Sequence, residues 1–459
     1  MRVVSFAVAF LVASCAQPPS PAVADTPYPD RPDPAEATAQ QEQLAYEIAE
    51  SLVTEVGPRF AGTDGERKAI EWAMLKLTVL GFENVRAEPV TVPRWHRGDI
   101  AVELLGAEPR ALEALALGGS VGTPAGGIEA DVIAAATLAA LEQLPPAQVR
   151  GRIVFIDERL ERARDKAGYR KVAENRKMGA ALAARKGAKG LLIRSVGTDA
   201  KGKPHTGRVI YEPDAKRIPA AALAAAAADA LAEALGKGKA RLRLAITARA
   251  EGEARSANVI GEIPGQTPEI VLLGAHLDSW DNTPGANDDA AGVGIVVAAA
   301  HRIAGTGKPR RTIRVVLFAN GEFGADGGKA YARMRRDELA RHVLVMEADS
   351  GSGAPFRLDG SVAGAEWPEV ARLAGELGLE TGENGKEGGT DVAPLRALGV
   401  PEIIVSQDAR RYFDVHHTAN DTVETLDRAG LAQATDAFVA IARAVAERDR
   451  PFERLPPAQ

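Results

Sequence analysis

Apolar residues recur along this chain in short runs, and four of those runs stop at or just before a residue that binds metals well. Ile270–Leu273 leads to His276, and Arg314–Asn320 leads to Gly321 and Glu322. His342–Met346 leads to Glu347 and Asp349, and Ile403–Val405 precedes a loop carrying His416 and His417. Short apolar runs bounded by Gly, Pro and polar residues read as buried strands. Open α/β sheets build their sites at the carboxyl ends of such strands. Upstream, the spacing predicts an amphipathic helix over Gln40–Val56, a turn-rich loop over Gly57–Thr63, a helix from Asp64 through Leu80, and a strand over Gly81–Val92. Residues 98–251 hold no such ligand set. They read as an insertion with strands at Gly151–Asp157, Gly190–Ile193 and Ala240–Ala248, an Ala-rich helix through Lys186, and a second over Ala220–Leu235. The sheet pattern resumes near Ser256 and continues to about Arg448. The tail, residues 451–459, reads as disordered.

The polar ends of the strands define the chemistry. Asp288 sits twelve residues after His276, in a Gly/Pro-rich loop. With Glu322, Asp349 and His417 they make two imidazoles and three carboxylates. That set suits zinc or another borderline divalent ion, and it has enough oxygens to hold two ions bridged by one carboxylate. Isolated, each of these residues would be an ordinary polar loop residue; their joint placement after apolar strands is what favours a site. His96, His205, His301 and His342 read as surface or packing histidines, and His416 as a neighbour of the site. The charged stretch Arg159–Arg176 reads as a solvated helix face.

Composition narrows the picture. The chain has 459 residues, enough for two or three domains, and 46% of them are hydrophobic. A net charge of −6 excludes a basic nucleic-acid footprint. The first residues, 1–24, read as an export signal: Met1 and Arg2 are followed by an apolar run, Val3–Ala13, too short to span a bilayer. Two processing sites compete. The only cysteine, Cys15, directly follows the apolar run and reads as a lipid-anchored residue; Ala22–Ala24 is a small-residue cleavage site. The expectation is an exported protein, periplasmic or extracellular, anchored through Cys15, with residues 25–38 as a linker.

These residues resemble the M28 zinc peptidases, in their carboxypeptidase Q-like branch. The resemblance rests on the segments Gly274–Trp280, Gly285–Gly292, Phe318–Gly324, Met346–Gly351 and His416–Thr422. The middle region, with Gly151–Val154, Gly187–Gly190 and Pro204–Gly207, resembles the protease-associated domain that this branch inserts. The resemblance implies a three-layer α/β fold with a mainly parallel central sheet, formed by residues 39–97 and 252–450, with the insertion at 98–251. It implies two zinc ions: His276 and Asp349 on one, Glu322 and His417 on the other, Asp288 between them. Asp278 would orient His276, the bond between Asp288 and Asp289 would be cis, and the loop ending at Asp391 would line the substrate pocket. Tyr412, near the His417 loop, reads either as a donor to a developing oxyanion or as a packing residue.

One position departs from the family. Where the family places a Glu-Glu pair, general base then ligand, this chain reads Gly321 and Glu322. Either Glu322 is the ligand and the base is missing, or Glu322 is the base and Phe323 holds the ligand position. Phe cannot bind a metal, so Glu322 is assigned as the ligand and Gly321 as the vacant base position. On that reading a glutamate restored at 321 should raise turnover, unless Asp326 or Asp391 stands in. The expected function is a two-zinc exopeptidase that cleaves N-terminal residues or dipeptides. The alternative is a weak or inactive relative that binds peptides or partners in the same cleft. Acyl transfer such as glutaminyl cyclisation, with one zinc, fits five ligands less well.

Overall fold

The computed structural model describes residues 34–457, with side chains from 43 onward. The export-signal expectation for residues 1–24, and the linker expectation for 25–38 as far as residue 33, lie outside the described residues; residues 34–38 are helical rather than linker. Helix α1 (Pro34–Glu55) begins earlier than the Gln40 start expected from periodicity, because proline fits the first turn of a helix, where its missing N–H costs nothing. Helix α2 (Asp64–Val79) is capped by the Thr63 side chain, which accepts from the Glu66 amide. It leads into β1 (Glu83–His96).

From Ile100 to Ile246 the chain builds an eight-stranded sheet of its own. Helix α3 (Ala167–Arg185) packs on one face, burying Val172, Ala180 and Ala183. Another helix of this unit, Ala225–Lys237, covers the other. The expected helix over Ala220–Leu235 is corrected here: Ala220–Leu223 is a fully buried strand, paired with Leu191–Arg194 and Ala114–Ala116. Alanine favours helices in isolation, but in this slot only small side chains fit between helix and sheet, so packing overrides propensity.

The chain then returns as β2 (Arg249–Ile263), which runs antiparallel to β1 along nearly its whole length. The remaining strands are β3 (Thr267–His276), β4 (Arg311–Phe318), β5 (His342–Glu347), β6 (Pro355–Ser361), β7 (Glu380–Asn384) and β8 (Glu402–Gln407). The order across this second sheet is β1-β2-β4-β3-β5-β8-β6-β7, with β4, β3, β5 and β8 mutually parallel. Alternation in β3 and β4 explains the two covered faces. Val271, Leu273, Val315 and Leu317 face helices α4 (Ala291–Gly305) and α6 (Arg428–Glu447), together with α1 and α2. Ile270, Leu272, Val316 and Phe318 face the side covered by α5 (Asp326–Met334) and Ala393–Ala397. The result is an α/β fold with helices on both faces of a mixed sheet.

The tail is a second correction. Phe452 is buried in the core, the Leu455 amide donates to the Gly399 carbonyl at 2.9 Å, and Arg454 donates to Leu339 and Leu398 carbonyls. A single aromatic anchor after a charged stretch is hard to recognise as core by periodicity.

Candidate active site

Register brings the strand ends level. His276 pairs with Phe318 across β3 and β4, and Gly274 pairs with Glu347 across β3 and β5. The loops after them therefore open at one edge. The loop between β3 and α4 carries Asp288, whose peptide bond to Asp289 is cis. The loop after β8 carries His416 and His417.

These loops bring the expected residues together in two groups that share Asp288. The donor atoms of His276, Asp288 and Asp349 lie within 4.8 Å of one another, as do those of Asp288, His416 and His417. His276 Nε2 is 3.2 Å from Asp288 Oδ1, and His417 Nε2 is 3.1 Å from Asp288 Oδ2. Glu322 Oε2 closes the second group at 2.9 Å from His417 Nε2. His416, set aside in the sequence, also reaches Asp288 Oδ2 at 3.3 Å and stacks on His417. Asp288 Oδ2 and Glu322 Oε1 are buried and complete no hydrogen bond among the described residues. Leaving such oxygens unpaired is costly. Their convergence on facing imidazole nitrogens is what a cation would satisfy.

Both imidazoles face a backbone carbonyl through Nδ1. His276 Nδ1 is 3.0 Å from the Asp278 carbonyl, and His417 Nδ1 is 3.1 Å from the Thr206 carbonyl. An N–H donated there leaves each Nε2 lone pair aimed at the carboxylates. Thr206 belongs to the inserted unit and is held in turn by Arg176, which donates to its carbonyl at 2.8 Å. The 100–246 unit thus fixes one imidazole of the site. Asp278 works differently from the expectation. Its carboxylate sits 3.5 Å from His276 Nδ1 but accepts the Gly321 amide at 2.8 Å and the Glu322 amide at 3.4 Å, tying the β4 loop to β3.

The electrostatics fit a site that exchanges protons for a cation. Burial lowers the His417 pKa, but Glu322 and Asp288 outweigh it and push it up to about 10. Burial also opposes charge on His276, yet its partners Asp278 and Asp288 hold it well above the usual imidazole range. Glu322 is raised to about 7, by burial and then by Asp288. Without an ion the cluster keeps protons that a metal would displace.

Two further devices shape the site, and neither was assigned in the sequence. Asp421 accepts the amides of Asn287 and Asp288 at 2.8 and 3.0 Å, and Asn287 in turn accepts from the Ser352 amide and hydroxyl. Arg59 is fully buried and donates to the carbonyls of Leu277, Pro284 and Gly285, which bracket the loop between His276 and Asp288. The Asp421 position at least lay inside a quoted motif. Arg59 lay in a loop readable only as a turn.

The pocket residues divide. A cleft of 580 Å³ opens beside Asp349, lined from one side by Glu347, Gly388 and Gly389 and from the inserted unit by Asp165, Lys166 and Arg170. Tyr412 is buried against His416, with Lys166 over its ring, and burial together with Asp288 and Asp349 holds its phenol well above the usual range. It remains a donor. Asp391 is buried behind the cleft, next to Gly321. Asp326 is committed elsewhere: it accepts from Asn320 at 2.6 Å and pairs with Lys329.

Gly321 itself is crowded, and this corrects the expectation that a glutamate there simply restores a base. A Cβ at this position would stand 2.5 Å from His276 Cβ and 2.8 Å from Asp391 Oδ2. A side chain at 321 must displace the His276 side chain and the Asp391 carboxylate.

Comparison with known proteins agrees with this geometry. Residues 258–442 match peptidase family M28. Carboxypeptidase Q from Mus musculus is 33% identical over 89% of this chain and 87% of its own length. The crystal structure of an M28 peptidase precursor from Shewanella amazonensis covers 92% of this chain and 98% of that one, with TM-score 0.88 and 43% identity. A zinc aminopeptidase from Bacillus subtilis shares the fold at TM-score 0.64 and 21% identity, covering 89% of this chain and 96% of that one. These likenesses show that the chain belongs to peptidase family M28, as a metallopeptidase.

Proposed function

We propose that the chain is an exported exopeptidase that removes N-terminal residues or splits dipeptides at a two-zinc site. The observation that carries this reading is the placement of Asp288, one oxygen toward His276 and the other toward His417. Such a carboxylate suits a bridge, with His276 and Asp349 on one ion and Glu322 and His417 on the other. Zinc bound there would supply the positive charge that acidifies a water molecule and polarises the scissile carbonyl. The chain's own residues hold the rest. Tyr412 keeps its proton and can donate to a carbonyl oxygen that gains charge. The cleft beside Asp349 is walled by the inserted unit, which favours short substrates or chain ends over the middle of a folded chain. We read that unit as a protease-associated domain. The relatives' names, a carboxypeptidase and several aminopeptidases, support peptide-bond hydrolysis at a chain end.

Export with a lipid anchor at Cys15 belongs to the same proposal and rests on the sequence of the first residues. Among the described residues, no helix is long and apolar enough to cross a membrane. A second reading has one observation in its favour: Gly321 offers no side chain where the family places its base, which suits a protein that binds peptides and hydrolyses them poorly.

The two readings separate in one assay. Zinc-loaded protein is incubated with dipeptides and aminoacyl-nitroanilides, before and after chelation. Turnover that disappears with the metal and returns on adding zinc supports the peptidase. Saturable peptide binding without hydrolysis supports the second reading.

A further inference from the structure

We infer that Asp391 is the general base of this site, its carboxylate standing against the point where a side chain at 321 would begin. The inference rests on the peptidase reading above. Peptide hydrolysis needs a group that takes a proton from water and gives it to the leaving amine. Asp288, Asp349 and Glu322 belong to the two convergent groups, and Asp278 is spent on the amides of Gly321 and Glu322. Asp289 accepts the amides of His276 and Gly292, and Asp421 those of Asn287 and Asp288. Asp391 is different. It is 1% exposed, belongs to neither group, and its Oδ1 has no hydrogen-bond partner among the described residues. Its Oδ2 lies 2.8 Å from where a Cβ on Gly321 would stand, against the wall formed by His276.

The position is built rather than incidental. Glu347 accepts the amides of Asp391 and Val392 at 3.1 and 2.9 Å, which fixes the turn. On the far side, α5 approaches so closely that a Cβ on Gly328 would stand 1.9 Å from the Asp391 carbonyl oxygen. Backbone held on both sides fixes where the Asp391 side chain starts, and burial limits where it can go, which suits proton transfer at a fixed geometry. In the reaction, the water oxygen bonds to the scissile carbonyl carbon while one of its protons passes to Asp391. As the C–N bond breaks, the same proton passes from Asp391 to the amine nitrogen. The products are a free acid and a free amine, and Asp391 ends as it began.

The test compares full-length zinc-loaded wild type with Asp391→Asn, which keeps the shape and removes the basicity. We expect kcat to fall about 10²- to 10³-fold with KM changed by less than about threefold. Zinc content should be unchanged, and the acidic limb of the pH–kcat profile should disappear. As a second readout, Asp391→Ala empties the space. Asp391→Glu, which keeps a carboxylate on the same turn, should turn over at least about tenfold faster than Asp391→Ala. Asp391→Asn that keeps wild-type turnover at full zinc overturns the assignment and leaves the peptidase reading standing. Loss of zinc in step with activity also overturns it, by showing a structural role. Wild type that holds zinc and hydrolyses nothing overturns both.

Discussion

Asp288→Ala should abolish hydrolysis, by about 10³-fold or more, while the protein still folds. The metals' positive charge contributes several kcal/mol to such a reaction, and each 1.4 kcal/mol is about tenfold. Asp288 is the one residue common to both groups of converging ligands, so no other single change should remove both ions. Its backbone contacts survive the substitution, because Asp421 grips the amides of 287 and 288 rather than the side chain. Thermal unfolding with and without zinc checks this directly. Wild type should gain stability from zinc by mass action, and Asp288→Ala should lose most of that gain. A variant that unfolds at the wild-type temperature in the presence of zinc would contradict the bridging role.

Arg59→Leu should cost about 3 kcal/mol or more of stability, since each buried carbonyl left unpaired costs about 1–3 kcal/mol. The guanidinium serves the carbonyls of Leu277, Pro284 and Gly285 at once. Burial lowers its pKa to about 10 against the pull of Asp278 and Asp289, so it remains charged at neutral pH. Leucine fills much of the volume and satisfies none of the three acceptors. The loop they belong to sets the distance between His276 and Asp288, so zinc affinity should fall with stability. Denaturant midpoints for the two proteins, each measured with and without zinc, check the expectation. A change under about 1 kcal/mol would mean that the loop finds other partners.

How much of this could be read from the sequence follows from where the information lies. His276, Glu322, Asp349 and His417 were legible because each follows an apolar run too short for anything but a strand, and parallel strands align their ends. Asp288 was legible from its Gly/Pro-rich loop at fixed spacing. Arg59 was not, since a buried arginine looks like a surface one until its carbonyl acceptors, more than 200 residues away, are known. Thr206 was invisible for another reason: it acts on His417 through its backbone, which carries no side-chain signal. Ala220–Leu223 was misread because propensity is a property of the isolated segment, whereas a buried alanine strand is a property of its neighbours. At Gly321 the missing side chain is legible in the sequence, but the crowding around it is not, because His276 and Asp391 meet at that point only in the fold.

The central claim is that the five ligands hold two ions. Elemental analysis of protein purified without chelator and dialysed against micromolar zinc measures this directly. Two zinc ions per chain are expected; a value of one or less contradicts the two-ion site.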